Sequence, residues 1–262
     1  MKYVPLLLPH CLSLAMLLGV LGLNPDLADA DERHIRVGCK AFTESVVLAT
    51  ITEQLIETVE TNGKHYTAET IELGGTQVVW KALLANRIDV YPEYTGTLTQ
   101  EILADEPIAN LEEMRKALKR RDITMLGPLG FSNNYAIGML QTKAAELKIT
   151  DISDLARHAD LNFGFSNEFM DRADGWPGLR RAYSLPQSNV RGLDHDLAYR
   201  GLSSGAIDVM ELYTTDAEIE YYDMRVLQDN RNYFPTYEAV LLVRDEIAAI
   251  PEVREALERL VG

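Results

Sequence analysis

Tyrosine outnumbers phenylalanine by 12 to 6 in this chain of 262 residues. Four tyrosines, Tyr94, Tyr135, Tyr213 and Tyr237, fall beside turn residues, threonine or asparagine, where a side chain can line a cleft. A tyrosine ring offers a π face with a polar rim. Several such faces around a quaternary ammonium form an aromatic cage, in which a desolvated cation–π contact contributes about 2 kcal/mol. Taken one at a time, each ring is better read as half-buried packing.

Other chemistries find less support in the residues. His34, His65, His158 and His195 stand in unrelated contexts, and no His-x-x-x-His or His-Glu-x-x-His spacing occurs, so no metal site is expected. There is no Gly-x-Ser-x-Gly elbow, and Ser203-Ser204-Gly205 reads as a helix C-terminus. Asp171 and Asp174 offer paired carboxylates of the kind a glycosidase uses, although solvated carboxylates are the default in so acidic a chain. No catalytic residue is assigned. Gly74-Gly75 lacks the Gly-Lys-Ser/Thr of a phosphate loop and reads as a turn opening a helix, and no cofactor is expected. Cys39 has no partner for a disulfide beyond the first thirty residues and reads as a small buried residue.

The formal charge of -15 works against binding nucleic acid phosphates or anionic lipid. The basic cluster Lys119-Arg120-Arg121 suits a helix end, where cations complement the dipole. Residues 1–30 read as a secretory signal peptide. Lys2 precedes an apolar run from Cys11 to Leu23, shorter than the ~20 residues of a bilayer span, and Ala28-Asp29-Ala30 has the small-x-small pattern of a cleavage site. Leu8-Pro9-His10 lacks the small residues that would precede a lipid-modified Cys11. The mature chain is expected to begin near Asp31 and to be periplasmic or otherwise extracytoplasmic.

The elements that must position the tyrosines alternate. Ile35 to Gly38 reads as a strand, and Val47, Leu48, Ile51, Leu55, Ile56 and Val59 follow at helical spacing with Thr43 as the expected N-cap. Thr70 to Leu73 reads as a strand, Val78 to Ala85 as a helix and Ile88 to Val90 as a strand, which argues for a mainly parallel sheet. One internal echo carries more. Ile88-Asp89-Val90 is followed by Tyr94-Thr95, and Ile207-Asp208-Val209 by Tyr213-Thr214, at a constant offset and after similar helix-like runs. Two α/β lobes, each presenting a tyrosine and a threonine past a strand end, would place a ligand cleft between them.

These residues resemble the substrate-binding proteins of glycine betaine, choline and carnitine (osmoprotectant) ABC transporters. The matching stretches run in order from about Ile35 to Leu260: Gly38-Cys39-Lys40-Ala41-Phe42-Thr43-Glu44, Leu73-Gly74-Gly75-Thr76, Ile88 through Thr97, Asn133-Asn134-Tyr135-Ala136, Glu168-Phe169 with Arg172 and Asp174-Gly175, Tyr213-Thr214-Thr215-Asp216, and Phe234-Pro235-Thr236-Tyr237. Cys39 departs from the serine many relatives carry, and relatives usually continue for a few short elements beyond the point matching Gly262.

The resemblance implies an α/β, two-lobed type II periplasmic binding protein fold with the ligand cleft between lobes. Lobe one would comprise residues 31–134 plus 231–262, and lobe two residues 135–230. Carried over residue by residue, the aromatic cage falls on Tyr94, Tyr135, Tyr213 and Tyr237, and the contacts to a ligand carboxylate on Lys40, Thr97 and Arg172. A betaine cation has no N–H to donate, so π faces and dispersion must hold it, while its carboxylate suits a guanidinium fork and an ammonium. The implied protein is a monomeric, non-enzymatic receptor that delivers a small zwitterionic or cationic quaternary ammonium compound to the permease subunits of an importer. A secreted carboxylate-based hydrolase and a sensory receptor domain with the same cleft are the alternative readings.

Overall fold

The structure is a computed structural model that describes residues 34–262. The expected leader, residues 1–30, and the expected mature start at Asp31 lie outside the described residues. In chain order the elements used below are β1 (His34–Lys40), α1 (Thr43–Glu57), β2 (Glu60–Thr61), β3 (Lys64–His65), β4 (Thr67–Gly74), α2 (Thr76–Leu84), β5 (Val90–Tyr94), α3 (Leu111–Lys119) and β6 (Ile123–Met125). They continue with β7 (Tyr135–Leu140), β8 (Phe163–Ser166), α4 (Asn167–Asp171), α5 (Trp176–Tyr183), β9 (Val190–Leu193), α6 (His195–Ser203), β10 (Met210–Tyr213), β11 (Met224–Leu227), β12 (Ala239–Arg244) and α7 (Pro251–Glu258).

Two sheets with the same spatial arrangement of strands carry the fold, the return strand coming last in the chain in the first and first in the second. In the first, β1 runs parallel to β4 on one side and β5 on the other, and the late strand β12 returns antiparallel between β5 and β6. In the second, β8 runs parallel to β9. It meets β10 through the parallel bridge Phe163 to Val209, where the Gly164 N–H donates to the Val209 carbonyl at 3.0 Å. β7 then lies antiparallel between β10 and β11. The two orders, β4-β1-β5-β12-β6 and β9-β8-β10-β7-β11, are equivalent position by position.

Local sequence explains the elements. On α1, Ser45, Leu48, Ala49, Thr52 and Ile56 are buried, the 3- and 4-residue spacing of one helix face. That stripe differs from the expected one: Val47 and Ile51 point to solvent, and the small polar Ser45 and Thr52 take core positions because their hydroxyls are satisfied locally. The expected N-cap is also corrected. Thr43 is the first helical residue and Phe42 precedes it in an extended conformation, φ -150°, with no side-chain cap. The third strand begins at Val90, later than expected, and runs on to Tyr94. Asn62-Gly63 turns β2 into β3 with positive φ at both residues, the backbone a two-residue hairpin demands.

Ile35, Val37, Ile56, Leu241, Val243, Val253 and Leu257 fill the core between the first sheet, α1 and α7. Val79, Leu83, Tyr91, Met114, Leu118 and Leu242 fill its other face beneath α2 and α3. Each such side chain contributes about 1.5–3 kcal/mol by leaving water. Lys119-Arg120-Arg121 closes α3, with Lys119 on Asp245 at 2.5 Å and both arginines on Glu106, as expected of a helix end. Ser203-Ser204-Gly205 likewise ends α6, with Gly205 at φ +73°. Cys39 is fully buried in β1, and burial followed by the nearby Glu72 pushes its thiol up to about 11, in keeping with an inert packing residue.

Candidate functional site

The carboxyl ends of the parallel strands in both sheets converge on one cavity of about 380 Å³, at the small end of the range for ligand pockets. Lys40 ends β1, Gly74 ends β4, Tyr94 ends β5, Ser166 ends β8, Leu193 ends β9 and Tyr213 ends β10, and all six border it. The return strands enter at the same place, with Tyr135 opening β7 and Tyr237 two residues ahead of β12. Cavities at strand ends are where open α/β folds bind ligands, because helix starts and loops gather there.

Six of the seven expected site residues border this cavity: Tyr94, Tyr135, Tyr213, Tyr237, Lys40 and Thr97. The tyrosines form a continuous arc with a fifth ring, Phe42, that the sequence reading left out of the site. Ring centroids are 6.3 Å apart between Tyr94 and Phe42, 4.9 Å between Phe42 and Tyr213, 5.3 Å between Tyr213 and Tyr135, and 5.4 Å between Tyr135 and Tyr237. Hydrogen bonds fix the arc. Tyr94 donates its hydroxyl to Glu44 Oε1 at 2.5 Å, an atom that also accepts from Asn133 Nδ2 at 2.9 Å. Tyr237 donates to Asp174 Oδ2 at 3.1 Å. Burial, and then the Glu44 charge, hold the Tyr94 phenol well above its ordinary pKa, so it stays a neutral donor.

Arg172, the seventh residue, lies just outside the cavity wall. It is buried, contrary to a solvated surface arginine, and grips Asp174 in a bidentate pair, Nε to Oδ1 at 2.8 Å and Nη2 to Oδ2 at 2.6 Å. Its guanidinium carbon stands 5.7 Å from the Tyr135 ring centroid. Lys40 is tied in a similar way, its Nζ 2.5 Å from Oε1 of the fully buried Glu93. A buried ammonium needs such a partner, since an unpaired charge there would cost several kcal/mol.

Three more charged residues border the cavity, Glu168, Asp171 and Asp194, together with His195. His195 opens α6 with its ring 4.4 Å from that of Tyr213. Its Nε2 is 2.9 Å from Asp216 Oδ2 and its Nδ1 3.3 Å from Oε1 of the fully buried Glu211. Burial opposes the charge on the imidazole, but Asp216 and Glu211 outweigh it and its pKa is pushed up to about 10. Asp216 Oδ2 also accepts from the Tyr213 N–H at 2.9 Å, so the imidazolium helps to seat a ring of the arc. Among the described residues no group of histidine, cysteine and carboxylate side chains is arranged to hold a metal ion, and Asp174, one of the two candidate catalytic carboxylates, is engaged by Arg172.

Residues 33–261 match the family described as the substrate binding domain of ABC-type glycine betaine transport systems. This chain belongs to that family. The family is one of transport binding domains, not enzymes, and its fold is the two-lobed type II periplasmic binding fold. The chain is 31% identical to an ergothioneine transport permease/ergothioneine binding protein of Helicobacter pylori over 88% of its own length and 42% of that protein. It is 30% identical to a carnitine transport binding protein of Listeria monocytogenes, over 91% of this chain and 79% of the relative. A solved glycine betaine/carnitine/choline ABC transporter structure superposes with a TM-score of 0.66 at 28% identity, covering 87% of this chain and 86% of the other.

Proposed function

We propose that this chain is the extracytoplasmic receptor of an ABC importer, acts as a monomer, and captures a small quaternary ammonium compound such as a betaine, choline or carnitine. The observation that carries this reading is the arc of five aromatic rings on one cavity wall, fed by strands of both sheets. A fully alkylated ammonium offers no hydrogen-bond donor, and only π faces and dispersion can recognise it. Tyr94, Tyr135, Tyr213 and Tyr237 supply those faces, and Phe42 completes them. Lys40, Thr97 and Arg172 are the contacts for a ligand carboxylate.

Lobe one comprises residues 31–134 plus 231–262, and lobe two residues 135–230. This division is supported by each sheet drawing all its strands from one side of it. A ligand touching both lobes favours the closed form and shifts an open-closed equilibrium towards it. The partner is a membrane permease, a reading supported by the Helicobacter relative, whose name joins permease and binding protein in one chain.

Isothermal titration with glycine betaine, carnitine, choline and ergothioneine tests the reading. Saturable binding of at least one, weakened about five- to thirtyfold by Tyr135→Ala and less by Tyr135→Phe, is expected. Absence of binding by all four would overturn it.

A further inference from the structure

The position where a ligand carboxylate would reach Arg172 already holds a carboxylate of the chain. Glu168, on α4, turns its side chain across to the start of α2, where the Thr76 N–H donates to Oε1 at 3.1 Å and to Oε2 at 3.0 Å. Its Oε1 is 3.6 Å from Arg172 Nη1, the guanidinium nitrogen that does not bond Asp174 and that donates to Thr76 Oγ1 at 3.4 Å. The approach depends on Gly75. A Cβ at that residue would stand 2.0 Å from Glu168 Oε2, so any other side chain would push the carboxylate away.

The three acids that face the site's cations are not alike. Glu93 on Lys40 is fully buried, and Asp174 on Arg172 is 8% exposed, so both are fixed counter-charges. The Glu168 side chain is 24% exposed and borders the cavity, whereas neither Arg172 nor Thr76 does. A ligand carboxylate coming from the cavity meets Glu168 before it meets Arg172. Two carboxylates cannot share one guanidinium edge and one N–H without repelling each other.

We propose that Glu168 is a specificity-determining residue, a resident carboxylate that a betaine must displace and that a cation without a carboxylate leaves in place. The proposal rests on the quaternary ammonium reading of the site. Glu168 sets the ratio of affinities for the two ligand classes, because its charge opposes one and leaves the other unopposed. Its bond to Thr76 also joins elements of the two sheets, and loss of that bond would weaken every ligand alike. The ratio therefore separates competition from a simple closing contact.

The test is titration of glycine betaine and choline into the wild type, Glu168→Gln and Glu168→Ala, with thermal melts to confirm folding. Gln keeps the size and an oxygen that can accept from Thr76 while removing the charge. The expected result is a shift of the affinity ratio towards glycine betaine by on the order of tenfold in both variants, the value of about 1.4 kcal/mol. An unchanged ratio, or a shift towards choline, overturns the proposal and leaves the quaternary ammonium reading standing. Binding of neither ligand by the wild type overturns this proposal, and the quaternary ammonium reading falls with it only when carnitine and ergothioneine fail to bind as well.

Discussion

Asp89 and Asp208 make the same pair of backbone bonds in the two sheets. The Asp89 N–H donates to the Arg36 carbonyl and its carboxylate accepts from the Arg36 N–H, both at 2.8 Å. The Asp208 N–H donates to the Asn162 carbonyl at 2.7 Å and its carboxylate accepts from the Asn162 N–H at 2.8 Å. Each aspartate thus clamps the entry of a cleft-bound strand, β5 or β10, to its parallel neighbour. The strands it aligns end in Tyr94 and Tyr213, so the clamps stand at the opposite strand ends from the cavity yet align residues that border it.

Replacement of Asp208 by Asn is expected to destabilise the fold by about 1–3 kcal/mol, because it loses the Lys143 ion pair and the charge on its bonds to Asn162. Burial tends to raise the Asp208 pKa, but the bonds from Asn162 and Lys143 prevail and hold it below the ordinary value. A depressed pKa contributes stability that is present above the unfolded value and is lost as pH falls through the folded one. Urea melts should therefore show wild type and Asp208→Asn furthest apart near neutral pH and converging below about pH 4. A gap constant with pH would contradict this.

The paired aspartates show why so much of the fold was legible. Ile88-Asp89-Val90 and Ile207-Asp208-Val209 repeat because each copy solves one local problem, a helix handing over to a strand at a buried acid, and local solutions leave local sequence signals. The return strands β7 and β12 are different. Their partners lie far away in sequence, so Tyr135 and Tyr237 could be placed in the site only by family likeness. Phe42 was missed because a ring without a polar rim looks like core; its signal was its place between Lys40 and the start of α1. His195 looked isolated because Glu211 and Asp216 reach it through the fold. Thr43 is not the cap because the helix already begins at it, and Ser45 accepts from the Lys40 N–H at 2.9 Å, which ties the strand end to the helix.

His195 makes stability fall towards alkaline pH. Its folded pKa of about 10 lies above the unfolded value near 6.5, so its contribution is complete below about pH 6.5 and is lost as pH rises towards 10. Its removal also leaves the buried Glu211 without a counter-charge, held by the Ser166 N–H alone, and leaves Asp216 bonded only to Tyr199 and the Tyr213 N–H, a loss on the order of 3–5 kcal/mol. Denaturation at pH 6, 8 and 10 should find the difference between wild type and His195→Gln shrinking across the series. A difference that grows would reverse the assignment.

Gly96 packs against the back of the Tyr237 ring. A Cβ there would stand 2.4 Å from Cδ1 of Tyr237, a ring only 2% exposed, and would press it towards the cavity it borders. Gly96→Ala should cost about 1–3 kcal/mol of stability through overpacking. If Tyr237 contacts the ligand, Gly96→Ala should also weaken choline binding, as Tyr237→Ala should, although Gly96 itself does not border the cavity. Full choline affinity in Gly96→Ala would mean that Tyr237 is packing and not a cage wall.

Arg172 carries the case for a carboxylate contact, and the structure dictates how it must be tested. Arg172→Ala alone would leave Asp174 buried, with only Tyr237 donating to its carboxylate, a fault worth about 3–5 kcal/mol of folding stability. Loss of binding in that variant would then report a disturbed Tyr237 as readily as a missing guanidinium. Arg172→Ala with Asp174→Asn removes the pair together and should recover most of the stability. In this double variant glycine betaine binding should fall by roughly ten- to a hundredfold, since its carboxylate is left desolvated and poorly paired, while choline has no such group to lose. Equal losses for the two ligands would remove Arg172 from the ligand site and leave it as the residue that holds Asp174 against Tyr237.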